Sequence, residues 1–171
     1  GCDFLRGQSL ARAVRDLDIV IEQPCASYEA CLVVRRHTDL PLVLDEVIDS
    51  VPALLRAHAD GAMDAINLKL SKVGGLTRVR QMRDLCVALG LPMTIEDSGG
   101  GDVIGTAIVH LAQATPEKYR FGVSSGFFKV RLNTTEGAPR IAAGRVSAPT
   151  GTGLGLRPLT EILGEPVVDV S

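Results

Sequence analysis

A lysine lies inside a short apolar run, and acidic residues end the neighbouring apolar runs. The lysine is Lys69, within the stretch DAINLKLSKVGGL at residues 64–76. Glu22 ends one run, Asp45 ends the next, and Glu96 ends a later one. An ammonium group is costly to take out of water unless an anion pairs with it. The sequence therefore predicts that Lys69 meets acidic partners where these runs end.

This set of residue types suits proton transfer beside a metal ion. Neighbouring carboxylates with no adjacent arginine repel each other and favour a hard divalent cation, and Mg²⁺ prefers such oxygen ligands. A lysine next to a bound cation has a lowered pKa, so it can act as a base near pH 7. Metal and lysine together can remove a proton from the carbon next to a carboxylate. We therefore predict that Lys69 lies beside a magnesium ion.

A non-catalytic interpretation of the same residues stays open at this point. A single carboxylate at a strand end more often caps the following helix or interacts with its dipole. In that case Lys69 forms a structural ion pair with Asp45 or Glu22, without metal or reaction. For Lys72, three residues further along, we expect a place in the loop, solvated or lining the site. The succession of ionisable strand ends favours the catalytic interpretation.

The acidic residues belong to a regular alternation of strand-like and helix-like segments. The strand-like runs are 17–22, 40–45, 65–70, 92–96 and 120–124. They are apolar almost throughout, which indicates burial on both faces and a parallel sheet. The stretches between them have apolar residues at the spacing of amphipathic helices. The pattern predicts an α/β fold of about five βα units, in which ligands bind at the carboxyl ends of the strands.

The length of the chain limits the architecture of this fold. The alternation suits either a doubly wound sheet or part of a (β/α)8 barrel, and a full barrel needs about 250 residues. The chain has 171 residues, so a barrel formed by residues 1–125 would be incomplete, and both architectures stay open at this point. Residues 126–171 are rich in Gly, Thr and Pro and have no helical period. For them we predict an irregular, hairpin-forming tail.

Composition excludes several classes of partner. The net charge is −2 and 22% of the residues are charged, with no block of like charges. A nucleic-acid or anionic-membrane surface is therefore not expected. Four cysteines form neither a CxxC pair nor a zinc spacing, and no signal peptide or membrane-length apolar run is present. We expect a cytoplasmic protein.

Four stretches resemble the mandelate racemase/muconate lactonizing enzyme branch of the enolase superfamily: IEQPC, LVLDEVID, DAINLKLSKVGGLTRVRQM and GRVSAPTGTGLGL. The resemblance extends from about residue 8 to residue 160. It implies that residues 1–125 are the C-terminal part of a TIM-type barrel in which Glu22 and Asp45 bind Mg²⁺ and Lys69 is a general acid/base. It also implies that the tail packs on an α+β capping domain.

In the family, a further metal-binding Asp, a second lysine and the capping domain precede the segment that matches this chain. We therefore expect a piece of a longer protein, with little activity in the isolated chain. A partial barrel leaves two open sheet edges and an uncovered interior, which drive association. We expect the isolated chain to aggregate or to pair with another chain, and the longer protein to be a homo-oligomer.

Two further stretches, EQPCASYEACLVVRRHTDLPLVLDE and IEDSGGGDVIGTAIVHLAQATPE, resemble enzymes that act on hydroxyproline or proline betaine. The resemblance implies removal of the α-proton of a small carboxylate or amino-acid substrate through an enediolate. Dehydration of a cis-3-hydroxy-L-proline-type substrate is the first hypothesis. The alternatives are racemisation or epimerisation of a proline derivative, and a non-catalytic relic of the family. The predicted substrate-binding residues are Glu96, Asp97, Lys72 and Cys25.

Overall fold

The structure is a computed structural model, and it describes residues 2–124, 132–165 and 167–168. Its main feature is one sheet of five parallel strands. The strands are β1 Ile21–Glu22, β2 Leu42–Leu44, β3 Ala65–Lys69, β4 Met93–Glu96 and β5 Arg120–Ser124. Their order in the sheet follows the chain, and every neighbouring pair is parallel. The predicted parallel α/β fold is therefore confirmed.

Helices connect successive strands of the sheet, and a further helix, α1 Phe4–Ala13, precedes β1. The connecting helices are α2 Tyr28–Arg35, α3 Val51–Ala59, α4 Leu70–Val73, α5 Leu76–Leu89 and α6 Gly101–Gln113, and α7 Thr160–Leu163 follows near the end of the chain. Ser27 and Ser50 are the N-caps of α2 and α3, and each hydroxyl accepts a hydrogen bond from the main chain three residues further on. These serines satisfy N–H groups that a helix start leaves without partners.

The hydrophobic core joins the sheet to the helices that cover it. The strand residues Leu42, Leu44, Ile66, Leu68, Met93 and Ile95 are fully buried. They belong to one cluster with buried residues of the helices, including Val34, Leu54, Val79 and Ile108. This packing explains why β2 and most of β3 are buried residue after residue rather than alternating, whereas burial alternates along β4 and β5.

The first strand is shorter than predicted, and one short helix was not predicted. The sequence predicts a strand over 17–22, but β1 contains only Ile21 and Glu22. Leu17, Ile19 and Val20 stay largely exposed, because β1 pairs with β2 alone in the described part of the sheet. The unpredicted helix is α4, which directly follows β3.

The described part of the tail forms a small separate sheet. Strand β6, Thr135–Glu136, pairs antiparallel with β7, Arg157–Pro158. The tail is fixed to α6, since Asp102 accepts hydrogen bonds from the main-chain N–H groups of Thr134 and Thr135. The predicted boundary between residues 125 and 126 lies outside the described residues, and packing on a capping domain stays a prediction.

None of the helices within the described ranges has the length and apolar character needed to cross a membrane.

Candidate metal centre

The parallel register aligns the carboxyl ends of the strands along one edge of the sheet. Lys69, the last residue of β3, lies opposite Glu96, the last residue of β4. Glu22, the last residue of β1, lies opposite Val43 of β2, two positions before Asp45. The side chains that the sequence places at separate strand ends are therefore neighbours in the fold.

Three carboxylates converge at this edge. One oxygen from each of Glu22, Asp45 and Glu96 lies within 4.8 Å of the other two. Magnesium–oxygen distances of about 2.1 Å place opposite ligands of an octahedron about 4.2 Å apart. Small side-chain movements would therefore let all three oxygens bind one cation. The all-oxygen donor set suits a hard divalent ion, so these residues fit Mg²⁺.

The ammonium group of Lys69 lies directly beside these carboxylates. Its Nζ donates to Asp45 Oδ2 over 2.5 Å and lies 3.7 Å from Glu96 Oε1. The exposed Glu46 carboxylate is 3.6 Å away on the other side. The Lys69–Asp45 pair is the contact that the non-catalytic interpretation predicts. That interpretation does not require Glu22 and Glu96 to converge on the same point.

Burial and pairing shift the pKa values of these groups. Burial is the largest influence on Asp45 and works toward a higher value, but the hydrogen bonds and charges of Lys69 and Lys72 together hold its pKa below the ordinary range. Burial works to lower the pKa of Lys69, yet the adjacent carboxylates, led by Asp45, raise it. Glu96 has a raised pKa, mainly through burial. In this structure, therefore, the nearest carboxylate keeps Lys69 protonated. The lowered pKa predicted for Lys69 beside a bound cation stays a prediction.

Lys72 turns back toward Asp45 because of the short helix α4. Gly74 and Gly75 both have positive φ, at 89° and 104°, which lets α4 end and α5 begin within two residues. The Nζ of Lys72 donates to Asp45 Oδ1 over 2.9 Å, to Asp45 O over 2.5 Å and to Asn67 O over 3.1 Å. Only 13% of the Lys72 side chain is exposed. This geometry favours a role in holding Asp45 over the predicted contact with substrate.

The other predicted substrate-binding residues lie in three different environments. Glu96 joins the carboxylate group and is therefore a candidate metal ligand. The Asp97 carboxylate accepts hydrogen bonds from the N–H and hydroxyl groups of Ser71 and from the N–H of Ser98. Cys25 is fully buried, and its thiol donates to the carbonyl of Asp3. The Asp97 and Cys25 assignments stay predictions.

One polar residue of this region has no predicted role. Gln23 directly follows Glu22, and its side-chain amide contacts the main chain of Asp45. A polar side chain one position beyond a buried strand, in the stretch IEQPC, is the signal that the sequence offers for it.

Comparison with known proteins agrees with the fold. The family model of the enolase C-terminal domain-like proteins matches residues 3–162. A cis-3-hydroxy-L-proline dehydratase from Roseibium aggregatum is 50% identical over 159 residues, which are 93% of this chain and 43% of that protein. An N-succinylamino acid racemase from Amycolatopsis is 31% identical, covering 86% of this chain and 40% of that protein.

Solved structures lead to the same family. A mandelate racemase/muconate lactonizing enzyme from Roseovarius nubinhibens superposes with a TM-score of 0.94 at 38% identity, over 98% of this chain and 46% of that one. An enolase superfamily member from the same organism, complexed with magnesium, gives 0.91 at 36% identity, over 98% of this chain and 46% of that one. The chain belongs to the mandelate racemase/muconate lactonizing enzyme branch of the enolase superfamily, as predicted, and it spans less than half the length of these relatives.

Proposed function

We propose that this chain carries the magnesium site and one acid/base lysine of an enzyme that removes the α-proton of a carboxylate substrate. The observation behind the proposal is the convergence of carboxylates from Glu22, Asp45 and Glu96 beside the ammonium of Lys69. For the reaction we propose dehydration of a hydroxyproline-type amino acid. The 50% identity to a cis-3-hydroxy-L-proline dehydratase supports this choice.

In the proposed mechanism each residue has one task. Glu22, Asp45 and Glu96 hold the cation, and bound magnesium would stabilise negative charge that develops on the substrate carboxylate. Lys69, whose side chain is 14% exposed, takes the α-proton at its Nζ, and the bound cation would first have to lower its pKa so that it loses the proton it holds beside Asp45. Loss of hydroxide from the neighbouring carbon would complete the dehydration, with an acid protonating the leaving group.

Racemisation or epimerisation of a proline derivative is the second candidate. It begins with the same proton removal, and the identity to an N-succinylamino acid racemase supports it. It differs in the last step, since the proton returns to the opposite face of the α-carbon. A non-catalytic relic of the family is the remaining alternative.

A cytoplasmic location and a homo-oligomeric state belong to the same proposal. They are the expectations for an enzyme of small metabolites that needs neither a nucleic-acid nor a membrane surface. The four free thiols agree with a reducing compartment.

The test uses the complete natural protein with cis-3-hydroxy-L-proline in D₂O. We expect the wild type to eliminate water from this substrate, and NMR monitors the reaction. Lys69→Ala should reduce turnover by at least about 10²–10⁴-fold while Mg²⁺ still binds, because Lys69 is not a ligand. Glu22→Ala should weaken Mg²⁺ binding itself, since it removes a charged oxygen ligand.

Lys118→Ala is the matched control, since Lys118 is an exposed lysine whose ammonium lies over the ring of Tyr119. It should leave both turnover and Mg²⁺ binding unchanged. Solvent exchange of the α-proton without loss of water would favour the racemase. A Lys69→Ala variant that exchanges the α-proton at the wild-type rate would refute the role of Lys69.

A further inference from the structure

The side chain of Gln23 connects the ends of the first two strands. Its Oε1 accepts a hydrogen bond from the main-chain N–H of Asp45 over 2.8 Å. Its Nε2 donates to the carbonyl of Cys25 over 2.8 Å and lies 3.5 Å from the sulfur of Cys31. Both ends of the amide are therefore engaged, and one of them holds the main chain of a carboxylate residue of the candidate metal centre.

The side chain of Gln23 accepts the hydrogen bond from Asp45 N–H that the main-chain carbonyl of Gln23 would accept in a regular ladder. In the β1–β2 ladder, Ile21 N–H donates to Pro41 O and Gln23 N–H donates to Val43 O. A regular parallel ladder would continue with Asp45 N–H donating to the main-chain carbonyl of Gln23. The side-chain carbonyl accepts that hydrogen bond instead.

The backbone conformation of Gln23 explains why its side-chain carbonyl, rather than its main-chain carbonyl, is the acceptor. Its φ is 37°, in the left-handed region that non-glycine residues adopt infrequently. This conformation turns the chain away from β2 directly after Glu22. A residue held in such a conformation is costly unless the surroundings favour it. The hydrogen bonds of the side-chain amide supply part of that compensation.

We propose that Gln23 is a positioning residue of the metal centre, which aligns the Asp45 carboxylate with that of Glu22. The proposal rests on the metal site proposed above. Gln23 fixes the N–H of Asp45, and Lys72 fixes its carbonyl oxygen over 2.5 Å. Because the N–H and the carbonyl of Asp45 are both held and Asp45 is only 1% exposed, its carboxylate projects in one defined direction.

The test compares two variants of the complete natural protein, each titrated with Mg²⁺ by calorimetry. Gln23→Asn keeps the amide and tolerates positive φ better than glutamine does, but its side chain is too short to reach Asp45 N–H. Partners that hold metal ligands typically contribute a factor of about 10–100 to metal affinity. We therefore expect Gln23→Asn to raise the Mg²⁺ dissociation constant by about 10–100-fold, in addition to any loss of stability of the metal-free protein from the missing hydrogen bond.

Gln23→Glu keeps an acceptor oxygen at the reach of the native side chain. We expect it to bind Mg²⁺ more tightly than Gln23→Asn does. Gln113→Asn is the matched control, because Gln113 Oε1 also accepts a main-chain hydrogen bond, from Ala148 over 2.9 Å, but far along the chain from the site. It should leave Mg²⁺ affinity unchanged.

The outcomes separate this proposal from the one on which it rests. If the wild type does not bind Mg²⁺ in a way that depends on Glu22, the metal site itself is wrong. If the wild type binds and Gln23→Asn binds within twofold of it, Gln23 does not position the site. A lower melting temperature of metal-free Gln23→Asn with unchanged Mg²⁺ affinity would assign Gln23 a purely structural role and would overturn the proposal as well.

Discussion

Replacing Lys72 by methionine separates a positioning role from a substrate contact. The change keeps a long unbranched side chain and removes the ammonium group. Three hydrogen bonds disappear: those to Asp45 Oδ1, to Asp45 O and to Asn67 O. If Lys72 holds Asp45, the loss should appear before any substrate is added.

The expected magnitude follows from burial and from the partner that remains. A hydrogen bond to a charged group contributes about 1.5–3 kcal/mol, and removing one partner of a buried ion pair costs about 3–5 kcal/mol. The Lys72 side chain is 13% exposed, and Lys69 still lies 2.5 Å from Asp45. Because Asp45 keeps one cationic partner, we expect the free energy of unfolding to fall by about 2–3 kcal/mol, the upper part of the range for a charged hydrogen bond.

The assay is urea unfolding of the metal-free complete protein, together with steady-state kinetics. Lys118→Met is the control, since its exposed ammonium can lose only a cation–π contact of about 0.5–1 kcal/mol with Tyr119. The reasoning is refuted if Lys72→Met unfolds like the wild type and merely raises KM at constant kcat. That result would support the substrate contact that the sequence predicts.

Two further predictions concern pH and packing. Burial, with neighbouring carboxylates, raises the pKa of Glu96 above its ordinary value of 4.5, so Mg²⁺ must displace a proton there as the pH falls toward that pKa. Calorimetry of Mg²⁺ binding in buffers of different ionisation enthalpy should show proton release by the wild type. Glu96→Gln should bind Mg²⁺ less tightly and with a flatter pH dependence. Equal proton release by the wild type and by Glu96→Gln would contradict this prediction. Gly7→Ala should lower stability by about 1–3 kcal/mol through overpacking, because an added Cβ would lie 2.6 Å from Cys25 Sγ and 2.8 Å from Val34 Cγ2. The measurement is thermal unfolding, with Gly99→Ala as the control because nothing lies within 4 Å of an added Cβ there. A Gly7→Ala variant as stable as the wild type would show that α1 shifts to make room for the added Cβ.

The sequence predicts the fold because burial leaves a strong periodic signal. Strands covered on both faces are apolar throughout, and the helices between them repeat at a helical period. The same reasoning predicts the meeting of Lys69 with Asp45, since parallel strands align their carboxyl ends. Where a neighbour is missing from the described sheet, as at residues 17–20, apolar character alone does not make a strand.

The details of the site depend on backbone conformations that single residues do not reveal. Lys72 contacts Asp45 because it lies in the short helix α4, and the pair of glycines that follows permits that helix to end without fixing where Lys72 points. Gln23 reaches Asp45 from a conformation uncommon for glutamine. Glu96 belongs with the other carboxylates of the candidate metal centre because the register of β3 and β4 places it beside Lys69. These features follow from tertiary structure, which residue type and spacing alone do not specify.

The charges of the site explain why two lysines and three carboxylates share so small a volume. The carboxylates are those of Glu22, Asp45 and Glu96. The ammonium groups are those of Lys69 and Lys72. With these five groups ionised the cluster has one net negative charge, and the exposed Glu46 carboxylate, 3.6 Å from Lys69 Nζ, adds a second. This excess attracts a divalent cation, and a bound divalent cation would cancel it. The proposed proton transfer requires that the bound cation also lower the pKa of Lys69, so that Asp45 keeps Lys72 as its cationic partner while Lys69 becomes the base.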